Sequence, residues 1–511
     1  MKKTMWLLAI LLLPAVLLGA ISCGDDDDDN GATDDDDDND NDATGDDDDD
    51  NNDNDDDDND TSFECSENNA NWTVGLLLCQ SGVSPGYTLF SPMLGFQTYL
   101  IDELGRVVNQ WETNHTPGNS EYLLPDGNLL RTGKMLQNNF MAGGAGGILQ
   151  LLSWDNEILW EFEHADASHL QHHDVAPLPN GNILVIAWEK KTESQAIAAG
   201  RDPARIRERE IWSERVFEVE PTGTSGGNIV WEWRLWDHLV QDRDAGQANY
   251  GVVSEHPELI DINYPYDDSL ADVFHLNTVY YVEEFDQIIL SSRHFSEVWV
   301  IDHSTTTAEA SGHSGGNSDK GGDLLYRWGN PEAYGMGDAT RFFYGQHDSQ
   351  RIEEGIPGAG NILVFNNGVG RSWERYSTVD EFTPPLQADG SYTRTAGEAF
   401  GPDELVWSYI APEPGDLYSL NVSGVQRLPN GNTLVCSGNQ GEIFEVTPDG
   451  QMVWIYINPA TAFGVLDQYD QVPTTPGGNA NSLFKTRRYA PGYSGFEGRD
   501  MTPGDYVEGG G

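Results

Sequence analysis

The chain has 511 residues, with 85 acidic against 27 lysine and arginine side chains and a formal net charge of −58. That excess of carboxylates argues against nucleic acid and anionic lipid surfaces as partners. Length alone suggests two or three domains.

Lys2 and Lys3 precede an apolar run from Trp6 to Leu18. A charged start and a short apolar stretch form the pattern of a secretory leader, too short for a permanent membrane span. The run ends in Ala20-Ile21-Ser22-Cys23, small residues before a cysteine. Residues 1–23 are therefore expected to be a lipoprotein signal peptide. A lipid on Cys23 would anchor the exported chain to the bacterial cell envelope, on its periplasmic or cell-surface face.

Residues 24–61 hold 23 aspartates spaced by Asn, Gly, Ala and Thr. Nothing here can seed a core and the charges repel, which predicts a disordered linker. No stretch has the full ligand pattern of a calcium loop. Without this tract and the two leader lysines the remainder still carries −37, so residues 62–511 are acidic too.

Cys65 and Cys79 lie close together at the start of that remainder, and a disulfide between them is expected in an oxidising compartment. Cys436 lies in the apolar stretch Thr433-Leu434-Val435-Cys436 and reads as a buried thiol. There is no CxxC pair to suggest zinc or redox chemistry.

Six segments end in a similar aromatic strand, beginning at Val108, Leu159, Val230, Leu325, Val406 and Val453, 47 to 95 residues apart. Each carries tryptophan: Trp111, Trp160, Trp231 with Trp233, Trp328, Trp407 and Trp454. Most follow another alternating strand and a polar turn, as hairpins do. Upstream hairpins share a turn, Leu124-Pro125-Asp126-Gly127-Asn128, Leu178-Pro179-Asn180-Gly181-Asn182 and Leu428-Pro429-Asn430-Gly431-Asn432. Two hairpins make a four-stranded unit, and six units predict an all-β fold, a six-bladed β-propeller over residues 62–511. A helix-like insertion is expected near Ser194–Glu210. Asn481-Ser482-Leu483-Phe484-Lys485 could supply the strand that closes the ring.

In a propeller the first strand of each blade lines the central channel. Aligned on their turns, those strands begin at Asn119, His173 and Ser423, each eight residues before its turn glycine. His275 and His347 begin the matching stretches of blades four and five. Three consecutive blades thus place a histidine at one end of the channel, with Arg293 at the end of a neighbouring strand. The doublet leaves His172 as an alternative to His173, and one residue flips a strand face. A neutral imidazole can be a nucleophile while cations and amides hold an anionic group in transfer. That composition suits phosphoryl or sulfuryl transfer, and the absence of a GxxxxGK loop disfavours a nucleotide donor.

The stretches His172-His173-Asp174, Phe274-His275-Leu276-Asn277, Ser291-Ser292-Arg293-His294, Gln346-His347-Asp348 and Phe365-Asn366-Asn367-Gly368 resemble the bacterial aryl-sulfate sulfotransferases that need no 3′-phosphoadenylyl-sulfate. With Gly86-Tyr87-Thr88-Leu89-Phe90 and Arg488-Tyr489, the resemblance runs in order over nearly all of residues 86–504. It implies an aryl sulfate donor, a phenolic acceptor and no cofactor. It also implies transient sulfation of His347, with His173, His275, Asn277 and Arg293 holding the sulfuryl oxygens. Some members carry an extra N-terminal β-domain for which this chain lacks room.

The plainer readings are a non-catalytic surface propeller that binds a ligand or partner, and a metalloenzyme ligated by the three histidines. Arg293 disfavours the latter, because a fixed cation repels a dication. His169 and His294 read as locally satisfied, Asp174 and Asp348 as residues that orient backbone, and the tryptophans as blade packing.

Overall fold

A computed structural model describes residues 65–508 apart from 138, 265–269, 372–373 and 476–477. The expected leader, acidic linker and Cys23 lie outside the described residues. The chain from Ser62 onward forms one unit.

That unit is a six-bladed β-propeller. Its blades run, from channel to rim, as strands of consecutive sequence, except in the first. Blade one takes its inner strand, Leu483–Tyr489, from the far end of the chain and adds Tyr87–Pro92, Gln97–Ile101 and Val107–Glu112. The ring therefore closes as expected. Blades two to five begin at Pro117–Leu123, His169–Pro177, Leu276–Val282 and His347–Arg351. Blade six begins at Gly424–Arg427 and is widened beyond its fourth strand by Gly75–Cys79 and Glu67–Asn68. Cys65 and Cys79 are disulfide-bonded at that edge, and Cys436 is a buried free thiol.

The shared turn forms for a local reason. Asp126, Asn180 and Asn430 each accept, through Oδ1, the backbone N–H two residues on, at 2.9–3.0 Å. Gly127, Gly181 and Gly431 then take φ of 81°, 85° and 90°, which a side chain would resist.

The aromatic marker has a structural meaning too. In each blade a marker tryptophan donates its indole N–H into the connection between the third and fourth strands of the next blade. The acceptors are the carbonyls of Ser153, Gly226, Gly322, Pro402, Pro448 and Glu103, reached by Trp111, Trp160, Trp233, Trp328, Trp407 and Trp454 at 2.7–2.9 Å. The last runs from blade six back to blade one. Apolar clusters fill the space between neighbouring blades, as with Trp233, Leu276, Leu290 and Trp299 between blades three and four. Truncating one fully buried marker to alanine costs about 3–5 kcal/mol by cavity formation alone.

The insertion in blade three is a short helix, Glu193–Ala198, whose Thr192 and Gln195 form a capping box.

Candidate active site

The inner strands do not start as regular β-structure. Asn119, His173, His275, Asp348 and Ser423, one per blade from two to six, have φ between 49° and 108°. The ladder register breaks beside these residues in blades two to five. A bulge of this kind re-aims a side chain, and left-handed backbone at non-glycine residues persists only where the surroundings hold it. Here it turns histidines toward one another.

The rings of His173 and His275 lie with centroids 4.6 Å apart, and His294 stacks on the other side of His275, also at 4.6 Å. His294 thus belongs to the cluster. His169, by contrast, is held by Asp166 at 3.2 Å, as expected. Phe484 of the closing strand packs against both His173 and His347.

His173 is the member of the doublet that faces this cluster. His172 lies behind it, stacked on Trp188 at 4.1 Å. Its Nδ1 meets Nδ1 of His173 at 2.8 Å and its Nε2 meets Oε2 of Glu214 at 2.9 Å. Burial pushes Glu214 well above the usual carboxylate range and pushes His172 down to about 3. With both neutral, the contacts accommodate the following proton order. Glu214 donates to Nε2 of His172, whose Nδ1–H donates to Nδ1 of His173. Nε2 of His173 is left as an N–H donor. Glu214 also accepts the Leu276 N–H at 2.9 Å, tying this relay to the strand beside His275.

His275 places Nδ1 2.5 Å from Oδ2 of Asp272, so the carboxylate accepts the Nδ1–H and fixes the ring with Nε2 pointing away.

His347 is almost completely buried, at 1% exposure. Its Nδ1 is 2.7 Å from Oδ1 of Asn367. Asn367 spends its amide on the carbonyls of Ser419 and Val422, so its oxygen must face the ring. An amide oxygen only accepts, so Nδ1 carries the hydrogen and Nε2 the lone pair. Burial first, and then the Arg293 charge, hold His347 down at about 3. Burial, the neighbouring imidazoles and Arg293 likewise keep His173 and His294 well below the usual histidine range.

Arg293 is fixed opposite His275 by its backbone N–H, which donates to the His275 carbonyl at 3.0 Å. Asn277 is buried, and its Nδ2 donates to the carbonyl of Gln346 at 2.7 Å. The Gln346 side chain reaches the Ser292 and Glu297 carbonyls at 3.1 and 2.8 Å. Asn277 and Gln346 together fasten the start of the His347 strand to blade four.

Below the histidines the channel is plugged by charge. Lys485 donates to Asp174 at 2.8 Å, and Arg487 holds Asp348 by bonds of 2.7 and 2.9 Å. Asp174 and Asp348 also accept the backbone N–H of Val279 and Val425 in the next blades, which makes them the backbone-orienting residues expected. A cavity of about 940 Å³ lies at the opposite end of the channel, bordered by Tyr280, Gln350, Arg487 and Tyr489, and contains none of the histidines.

Sequence reasoning found His173, His275, His347 and Arg293 but assigned no role to Glu214, Asp272, His294 or Asn367. Of these, His294 and Asn367 had a signal, within the Ser291-Ser292-Arg293-His294 and Phe365-Asn366-Asn367-Gly368 stretches.

Fold and site define a propeller whose channel mouth is built from buried, hydrogen-bond-ordered imidazoles beside a guanidinium. The family model described as "Arylsulfotransferase (ASST)" matches residues 98–462, and the chain belongs to that family. No curated protein matches the chain. Among solved structures, a protein of unknown function from Bacteroides caccae is 12% identical with a TM-score of 0.40, over 73% of this chain and 94% of its own. The β-propeller domain of Cps50 (Swd1) from Myceliophteria thermophila is 10% identical with a TM-score of 0.36, over 74% and 88%. Virginiamycin B lyase from Staphylococcus aureus is 8% identical with a TM-score of 0.34, over 75% and 88%.

Proposed function

We propose that the chain is an aryl-sulfate sulfotransferase that needs no 3′-phosphoadenylyl-sulfate and passes a sulfuryl group from an aryl sulfate to a phenol through Nε2 of His347. The observation that carries this reading is the His347–Asn367 contact, which leaves a lone pair on Nε2 of a neutral, buried imidazole. Family membership supports the general activity.

In the first half-reaction the Nε2 lone pair forms a bond to sulfur. The bond from sulfur to the aryl oxygen breaks, and its electron pair leaves with the phenolate. Nδ1–H stays on Asn367, so the sulfated ring becomes a zwitterion without any proton transfer at His347. In the second half-reaction the acceptor phenol, its proton passed through water to the phenolate released in the first, attacks sulfur through oxygen, the Nε2–S bond breaks, and its pair returns to Nε2. The sulfuryl oxygens gain and spread charge in both steps, and donors fixed beforehand act most strongly there. Nε2–H of His173 and the Arg293 guanidinium supply such donors. His275, oriented by Asp272, is aimed at the same group, while Asn277 acts through the strand that carries His347.

The chain in this reading is exported and held to the envelope by a lipid on Cys23. The leader pattern and the Cys65–Cys79 disulfide support that, since such bonds persist in oxidising compartments.

The test is mass analysis of tryptic peptides after incubation with 4-nitrophenyl sulfate. An acid-labile sulfate adduct on the His347 peptide, and loss of turnover in His347→Ala, are expected. Turnover surviving in His347→Ala without the adduct would refute the assignment. No turnover with phenol as acceptor would favour a binding propeller instead.

A metal-dependent reading finds one support: Asp272, His275 and His294 offer ligand atoms within 4.8 Å of one another. Arg293 lies close enough to depress His294, and that same charge would repel a dication. Stoichiometric metal, lost together with activity in His294→Ala, would favour this reading.

A further inference from the structure

A second group of imidazoles lies outside the channel, where blade three meets the insertion in blade four. His238 follows the short 3-10 turn Leu235–Asp237 and is fully buried, its ring parallel to that of Trp233 at 5.7 Å. His313 and Asp323 belong to the glycine-rich stretch after the helix Thr307–Ala310. Gly315, Gly316 and Gly321 there take left-handed φ, and the stretch folds back so that His313 meets Asp323. The marker tryptophan of blade three lands on Gly322, the residue before Asp323.

The hydrogen bonding of this group is overdrawn. Nε2 of His238 is 2.9 Å from the carbonyl of Ala310, which can only accept, so Nε2 carries a hydrogen. Nδ1 of the same ring is 2.8 Å from Oδ1 of Asp323. A neutral ring would turn a lone pair toward that carboxylate oxygen. His313 brings its own Nδ1 to the same atom, also at 2.8 Å. Hydrogen bonding satisfies this with an added proton, on His238 or on Asp323. A metal ion satisfies it with a neutral ring.

We propose that His238, His313 and Asp323 bind a zinc-class divalent ion through two imidazole nitrogens and a carboxylate oxygen. Three observations agree. Ligand atoms of all three residues lie within 4.8 Å of one another. His238 has the outer partner that metal-bound histidines usually have, a backbone carbonyl on the other ring nitrogen. The His313 side chain is 62% exposed, which gives the ion a way in and water a place as fourth ligand. Tetrahedral zinc separates such ligands by about 3.3 Å, so the 2.8 Å contacts must open by about half an ångström. The exposed His313 can supply that movement for its own contact, while the His238–Asp323 contact has to open by a small rotation of the Asp323 carboxylate. The ion would staple the blade-four insertion to the end of blade three, beside the Trp233 latch.

The experiment uses the full chain, stripped with chelator and then titrated with zinc, next to His313→Ala. This substitution removes an exposed side chain, so the variant folds without metal. The expected result is one equivalent of zinc more in the wild type than in the variant, with a zinc-dependent rise in Tm that the variant lacks. Cobalt(II) should give the visible absorption of a tetrahedral site in the wild type alone. The acidic tract and the Asp272, His275 and His294 group are common to both proteins, so the difference reads this site only. Equal zinc in the two proteins, or no zinc-dependent change in Tm of the wild type, would overturn the proposal.

Discussion

Asn367 holds the Nδ1 hydrogen of His347 at 2.7 Å, while its own amide is committed to two backbone carbonyls. A residue twenty positions downstream therefore decides which nitrogen of His347 carries the lone pair. Asn367→Ala removes the acceptor and lets the ring choose either tautomer. Asn367→Asp keeps an acceptor but adds a charge that favours the imidazolium, in which Nε2 is blocked. Both variants should lower kcat for 4-nitrophenyl sulfate by about 10²-fold or more, with much less effect on thermal unfolding in Asn367→Ala. Wild-type turnover in either variant would remove Asn367 from the mechanism.

With His347 held at about 3, its lone pair is available across the ordinary pH range. The burst of 4-nitrophenol from the first half-reaction should be flat from about pH 8 down to about pH 4. Below that, protonation of Nε2 removes the nucleophile and the rate falls. Since the Arg293 charge lowers His347, Arg293→Gln should move this acid limb to higher pH, whatever it does to the plateau. A wild-type limb near pH 6.5, the ordinary histidine value, would contradict the burial argument.

The proton order running from Glu214 through His172 to His173 makes a distinct forecast. Glu214→Gln can still accept from Leu276 and donate to Nε2 of His172, so it should keep activity within a few-fold. Glu214→Leu leaves His172 without a donor and frees His173 to present a lone pair to the sulfuryl group. Its kcat should fall by about 10²-fold, with rescue by glutamine separating proton order from simple packing. Equal losses in the two variants would show that only the volume matters.

His303 provides a pH-dependent test of stability. Burial alone would lower it, but hydrogen bonds to Asp286 at 2.6 Å and Glu218 at 3.0 Å outweigh that and raise it to about 9. A raised histidine stabilises fully below its unfolded value near 6.5, and the contribution fades as pH climbs toward 9. The Tm difference between wild type and His303→Gln should thus be largest at pH 6 and shrink by pH 10. A difference that grows with pH would reverse the sign of this argument.

Much of the propeller could be read from the chain because its repeat is made of local chemistry. An Asx residue followed by glycine forms its turn whatever surrounds it, and the marker tryptophans recur because each must reach the next blade's carbonyl. The closing strand was visible at Leu483 because alternation survives there. Counting back from turn glycines picked out Asn119, His173 and Ser423, which share left-handed backbone, but left His172 open, and only the ring contact of His173 with His275 distinguishes the two. The rest of the site is long-range. Glu214 lies 42 residues from His172 and on the third strand of its blade, where no local pattern distinguishes it from any other buried polar residue. His294 looked incidental because its partner His275 lies across the start of a sheet. Asn277 shows the converse limit, since its resemblance to a substrate ligand gave no hint that its amide would hold the Gln346 carbonyl.

Ring closure by residues 483–489 also bears on how the molecule comes into being. Lys485 and Arg487 are synthesised after the strands that carry Asp174 and Asp348, so those carboxylates wait for their counter-ions until residues 483–489 have been made. Blade one has no inner strand before then, and Phe484 is not yet against His173 and His347. A product that stops before residue 483 would contain every histidine and still lack the strand that packs against two of them. Completion of the channel lining is thus withheld from such chains by topology.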